Sequence, residues 1–114
     1  MTSRERVLAS IAHKEPDRAP VDLGGSTSSG ISAIAYNRLR KHLGLKNVPT
    51  RVFDVVQQLA VVDDDLLDLF GVDVLDIGRL FDTEDSDWHD VVLSDGSTAQ
   101  YPSRAQAAQD SALR

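Results

Sequence analysis

Breakers of regular structure recur so closely along this chain that no element can run long: Pro16, Pro20, Gly24 with Gly25, Gly44, Gly71 and Gly96. Proline removes a backbone donor and fixes its own φ, while glycine ends helices and opens turns. The densest stretch is HKEPDRAPVDLGG, residues 13 to 25, with two prolines and a glycine pair. It reads as a helix stop followed by a guided approach to a first strand.

The pieces between these breaks have recognisable periods. Thr2 and Glu5 stand at capping-box spacing, and Val7, Leu8, Ile11 and Ala12 recur at helical spacing, which predicts a short amphipathic helix over about 3–14. Residues 21–23 follow Pro20 as a short strand. The loop GGSTSSG then opens a second helix over about 30–43, capped by Ser28 or Ser29 and stopped by Gly44. Thr50 caps a third helix carrying Val52, Val56, Leu59 and Ala60, although its β-branched residues make a strand the alternative. Asp63, Asp64 and Asp65 precede LLDLFG as the acidic first turn of another short helix. The run VDVLDI, 72–77, reads as a buried strand, so residues 21–77 are consistent with two parallel strands and helical crossovers. Asp95 and Gly96 mark a hairpin between two alternating segments. Residues 103–114 are helix-permissive but carry almost no large apolar side chain, which predicts a poorly ordered tail.

At 114 residues the chain is one small domain or a piece of a larger one, and its 5% aromatic content is thin for a self-sufficient core. A net charge of −6 disfavours nucleic acid, yet it is unevenly spread. Residues 1–51 hold nine Lys or Arg against four acids, and residues 52–114 hold three against fourteen. The halves therefore suit packing against each other or against a further segment, and the basic half suits an anionic ligand less well. With no cysteine there is neither a disulfide framework nor a thiolate zinc site, as in a cytoplasmic protein. The N-terminal stretch has the pattern of neither a signal peptide nor a membrane span.

Chemistry-bearing groups are few. GGSTSSG, through Gly24, Gly25, Ser26 and Ser28, offers backbone donors and hydroxyls to an anion at a helix start, or serves as a plain connector. It matches neither the Walker pattern nor GxGxxG. Asp22, Asp73 and Asp76 fall on predicted strands, where an acid needs a partner to be buried. Asp76 and Arg79, near the end of the second strand, form the most interesting pair, read equally well as a site or as a structural ion pair. Asp22 has the plainer options of pairing with Arg18 or capping the next turn. His13, His42 and His89 share no metal spacing, the acidic runs lack a calcium-loop pattern, and the serines lack a GxSxG context.

The order RERVLASIAHKEPDRAPVDLGG, GISAIAYNRLRKHLGL, RVFDVVQQLAVVDDDLLDLFGVDVLDIGR and SDGSTAQYP resembles the N-terminal region of the uroporphyrinogen decarboxylase superfamily, which also holds cobalamin-dependent methyltransferases. The likeness covers about residues 4–102, with HKEPDRAPV and LFGVDVLDIG as its best pieces. It implies an α/β fold, the first third of a (β/α)8 TIM-type barrel of parallel strands and helical crossovers plus a β-hairpin, since a full barrel takes about 250 residues. On that reading, residues 1–102 are part of such a barrel, completed by its remainder or by a self-association partner. The decarboxylases carry a segment of the form RQAGRY where this chain reads DLGGSTSSG. Loss of those arginines points to the methyltransferase side, with a corrinoid protein as partner and zinc ligands in a later part of the family. Asp76 is the nearest match to the decarboxylase aspartate. The resemblance implies no cofactor held by this chain and no activity of it in isolation. The competing expectations are a fragment of a true decarboxylase and a non-enzymatic α/β interaction module.

Overall fold

The computed structural model describes residues 1–78, 82 and 84–104. In chain order the elements are α1 (Ser3–Ile11), α2 (Ala33–Leu43), β1 (Val52–Asp54), β2 (Leu59–Ala60), α3 (Asp64–Leu69), β3 (Trp88–Val92) and β4 (Thr98–Pro102). Short 3-10 turns occupy Thr27–Ser29 and Asp85–Asp87.

Helix α1 starts as its cap predicts: the Thr2 hydroxyl accepts from Glu5 N, and the Glu5 carboxylate accepts from Thr2 N. Its burial is inverted relative to its apolar pattern. Arg6 is buried, whereas Leu8 and Ile11 are 51% and 70% exposed. Helix α2 is capped by Ser32, three or four residues later than expected, and ends at Gly44 in the left-handed region at φ +66°.

The barrel expectation is corrected by the sheet topology. Both sheets are two-stranded and antiparallel, β1 with β2 and β3 with β4. Among the described residues the parallel contact is a single bridge, Arg51 with Gln100. Residues 21–23 and 72–77 form no ladder. Asp73 N donates to Val21 O at 2.8 Å, and pairing goes no further because Gly24, at φ +84°, turns the first segment away. The third helix expected after Thr50 is a hairpin instead, which was the alternative its β-branched residues left open. Gln57 N and Nε2 both donate to the Asp54 carboxylate, closing the turn, and Gln58 takes φ +59°.

Long-range backbone bonds hold that hairpin in place. Ala33 N donates to Gln58 O and Ala60 N to Ile31 O, so β2 is fixed against the start of α2. The second hairpin forms where Asp95 and Gly96 predict it, in register from Trp88 opposite Pro102 to Val92 opposite Thr98. Two small cores result. Ala33, Val52, Leu93 and Ala99 join the hairpins to one side of α2; Tyr36, Ala60, Val62 and Leu66 join its other side to α3. The α3 boundary agrees with the acidic first turn read at 63–65. Of the tail expected over 103–114, residues 105–114 lie outside the described residues.

No described helix is long and apolar enough to cross a membrane.

Candidate functional site

The most concentrated polar chemistry is a four-residue ion cluster around Asp73. Its side chain is wholly buried, and it accepts from Arg6 Nη1 at 2.6 Å, Arg18 Nη1 at 2.9 Å and Val21 N at 2.9 Å. Arg6 also grips Asp17 with Nε at 2.7 Å and Nη2 at 3.0 Å, and Arg18 Nη2 donates to Gly71 O at 3.0 Å. A buried carboxylate is tolerated only when its lone pairs are filled by donors, and here they are. The cluster ties α1, the PDRAPV segment and the turn after α3 into one unit.

The hydrogen bonds set the titration. The Val21 N–H, then the Ser3 hydroxyl and the two arginines, hold Asp73 far below the ordinary carboxylate range. The bond from Arg6 lowers Asp17 to about 2. Arg6 is pushed above its own ordinary range, by Asp17 first and then by Asp73. A carboxylate with a lowered folded pKa stabilises the fold above its unfolded pKa and loses that contribution as pH falls through the folded value. Thermal midpoints measured from pH 7 downward are therefore expected to stay level to about pH 5 and to fall steadily from about pH 4 through pH 2.

A second cluster joins α2 to α3. Tyr36 Oη donates to Asp63 Oδ2 at 2.5 Å and accepts from Asp63 N at 2.8 Å. Arg40 meets both Asp65 oxygens, at 2.8 and 2.9 Å, and donates to Lys46 O at 2.7 Å. Burial, then the Asp63 carboxylate, pushes the Tyr36 phenol up to about 12, so it stays protonated at physiological pH.

Asp22 caps the following turn, its Oδ1 accepting from Gly25 N at 2.9 Å. In GGSTSSG, Gly24 N donates to Ser29 O, Ser26 N to Ser29 Oγ and Ser29 N to Ser26 O. Much of the donor set foreseen for an anion is thus spent within the loop. The Ser28 hydroxyl is exposed and makes no hydrogen bond to another described residue. The loop lies against the other candidate segment: a Cβ built on Gly25 would fall 2.9 Å from Val74 Cγ1. Asp76, two residues on, accepts from Gly78 N at 2.8 Å. Arg79 lies outside the described residues. Of the histidines, His13 sits just past α1 at φ +57°, and His89 meets the Tyr101 ring edge-on at 6.3 Å.

A cleft of about 990 Å³ opens elsewhere, between Lys41, Lys46, Thr50, Asp90 and Thr98. Its polar floor is already paired. Asn37 Nδ2 donates to Ser97 Oγ and Thr98 O, the Thr50 hydroxyl to Asn37 Oδ1, and Gln100 Nε2 to Asp90.

Sequence reasoning marked Asp73 as an acid in need of a partner, but it missed Arg6 and Asp17 and offered Arg18 to Asp22, whereas Arg18 pairs with Asp73. The available signal was an aspartate inside the apolar run VDVLDI together with arginines in a segment rich in prolines. Comparison with protein-family models, curated proteins and solved structures gives no match. The chain has no cysteine, and the described residues form no group of three or more His, Asp or Glu able to hold a metal.

Proposed function

We propose that this chain is a segment of a uroporphyrinogen decarboxylase-like protein of the methyltransferase side, cytoplasmic, and without turnover in isolation. The supporting observation is the Asp73 cluster. It joins the two stretches that carry the resemblance, HKEPDRAPV through Asp17 and Arg18, and LFGVDVLDIG through Gly71 and Asp73. Residue types that look like a signature in each stretch have a shared structural reason. The arginine-free DLGGSTSSG favours methyl transfer over decarboxylation, because the substrate carboxylates of the decarboxylases need cationic partners that this loop does not supply.

In the longer protein, the Ser28 hydroxyl and the loop around Gly24, Gly25 and Ser26 would face an anionic group of the ligand. Asp76 would meet a polar or cationic part of it. A corrinoid protein would be the partner in methyl transfer. The alternative is a non-enzymatic interaction module, favoured by the 67% and 88% exposure of Leu75 and Ile77.

The coding DNA downstream of residue 114 separates the two. A continuation encoding a late histidine and cysteines supports the enzyme segment; a stop codon together with a cooperatively melting monomer overturns it. In a full-length relative, replacing the residue equivalent to Asp76 by alanine is expected to lower kcat/KM on the order of tenfold or more. Unchanged turnover and ligand affinity would remove Asp76 from the site.

A further inference from the structure

Helix α1 turns its apolar row outward and its arginine inward. Leu8 and Ile11 belong to neither core, and Arg4, one turn before Leu8, lies on the same face, since residues three or four apart share a side of a helix. Ala12, one turn after Leu8, is exposed as well. The cause is Arg6, whose bonds to Asp17 and Asp73 fix which side of the helix meets the molecule, and that side is not the apolar one. An apolar row held outward on a fixed helix gains by being covered.

The charges at the two ends of the row indicate what covers it. Arg4 and Glu5 stand at its start. Lys14 and Glu15 stand at its other end, where Lys14 N donates to Ala9 O at 2.9 Å and ties the chain to the last turn. The side chains of Arg4, Lys14 and Glu15 are exposed and pair with no described residue, and Glu5 caps Thr2 N with one carboxylate oxygen. Each end therefore offers one cation and one anion. Two copies of α1 laid antiparallel, with a two-fold axis at the level of Ala9 and Ser10, bring Leu8 against Ile11, Arg4 to Glu15 and Glu5 to Lys14. A parallel pair would set Arg4 against Arg4 and Lys14 against Lys14. A strongly acidic or basic partner finds no net charge to answer along this row, and the −6 of the whole chain opposes an anionic lipid surface.

We propose that the outer face of α1 is a self-association surface, covered by α1 of a second copy of the chain in antiparallel orientation. Burial of Leu8 and Ile11 supplies the affinity, and the paired charges at the ends set the direction. With nine residues, α1 is about 14 Å long, so the contact falls below the roughly 1,200 Å² of a standard interface and the dimer is weak, with Kd on the order of 0.1 mM.

Sedimentation equilibrium of the whole chain, from about 10 µM to about 1 mM, is expected to show the mass rising from one chain toward two. Ile11→Lys and, separately, Leu8→Lys are each expected to weaken association about tenfold or more, with the melting midpoint of the dilute chain unchanged because neither side chain belongs to a core. Arg4→Glu or Glu15→Arg alone is expected to weaken it about fivefold, by setting like charges together at two symmetry-related places, and the two combined to restore it. A single chain at every concentration, a dimer indifferent to both lysine variants, or a charge exchange that fails to restore association would overturn the proposal. So would binding of phosphatidylserine vesicles by the dilute chain that Ile11→Lys abolishes, because the occupant would then be a lipid surface. The proposed function turns on the downstream coding DNA, which none of these outcomes alters.

Discussion

Replacing Asp73 by asparagine is expected to lower the thermal midpoint by on the order of 10 °C and to release α1 from the rest of the molecule. The carboxylate accepts from Arg6, Arg18 and Val21 N together, and its side chain is fully buried. Asparagine keeps the volume but presents an NH2 group to donors, and it removes the charge that offsets two guanidinium ions. Circular dichroism melts measure the midpoint. Amide exchange locates the damage: protection over Ser3–Ile11 should vanish while β3 and β4 keep theirs. A midpoint within measurement error of the parent would show that the cluster is not what holds α1. The variant should also make the acid limb of the stability profile shallower, because one of the two carboxylates that lose charge there, Asp73, is gone while Asp17 remains.

The second large effect is expected at Tyr36, whose ring is fully buried in the core between α2 and α3. Tyr36→Ala should cost about 3–5 kcal/mol, combining lost burial with the cavity left behind. Small domains have only about 5–15 kcal/mol in hand, so this variant should sit close to unfolding at room temperature. Tyr36→Phe keeps the ring and loses the hydroxyl that bridges Asp63 Oδ2 and Asp63 N. It should cost about 1–2 kcal/mol, and the gap between the two variants apportions packing and hydrogen bonding. Urea titration checks both, with unchanged slopes indicating that stability alone has moved.

What was legible in the sequence is what neighbouring residues decide among themselves. The Thr2 and Glu5 box, the Gly44 stop, the acidic start of α3 and the turn at Asp95 and Gly96 involve partners within a few positions. The hairpin at 52–60 was not, because Val52, Val56, Leu59 and Ala60 satisfy a helical period. The bonds that select a strand come from Ile31 and Ala33, more than twenty positions earlier. The parallel sheet failed for a similar reason. Two apolar runs at 21–23 and 72–77 look like neighbours in a ladder, but only Asp73 N to Val21 O forms, and the acid that seemed costly within its strand is the anchor. Its arginine partners stand 55 and 67 positions away, beyond the range of any spacing rule. Asp22 as a cap of the following turn was one of the readings open in the sequence; the bonds between Ser26 and Ser29 that close GGSTSSG on itself were not.

The inverted burial of α1 has a thermodynamic consequence. A helix attached through Arg6, with Leu8 and Ile11 already in water, exposes mainly polar groups when it detaches. Heat-capacity change on opening follows newly exposed apolar area, so this detachment should carry almost none. Its free energy should vary nearly linearly with temperature and scarcely with urea, while the two cores melt with the curvature and denaturant slope of ordinary apolar packing. The chain thus holds two kinds of attachment, one sensitive to acid and the other to heat and denaturant.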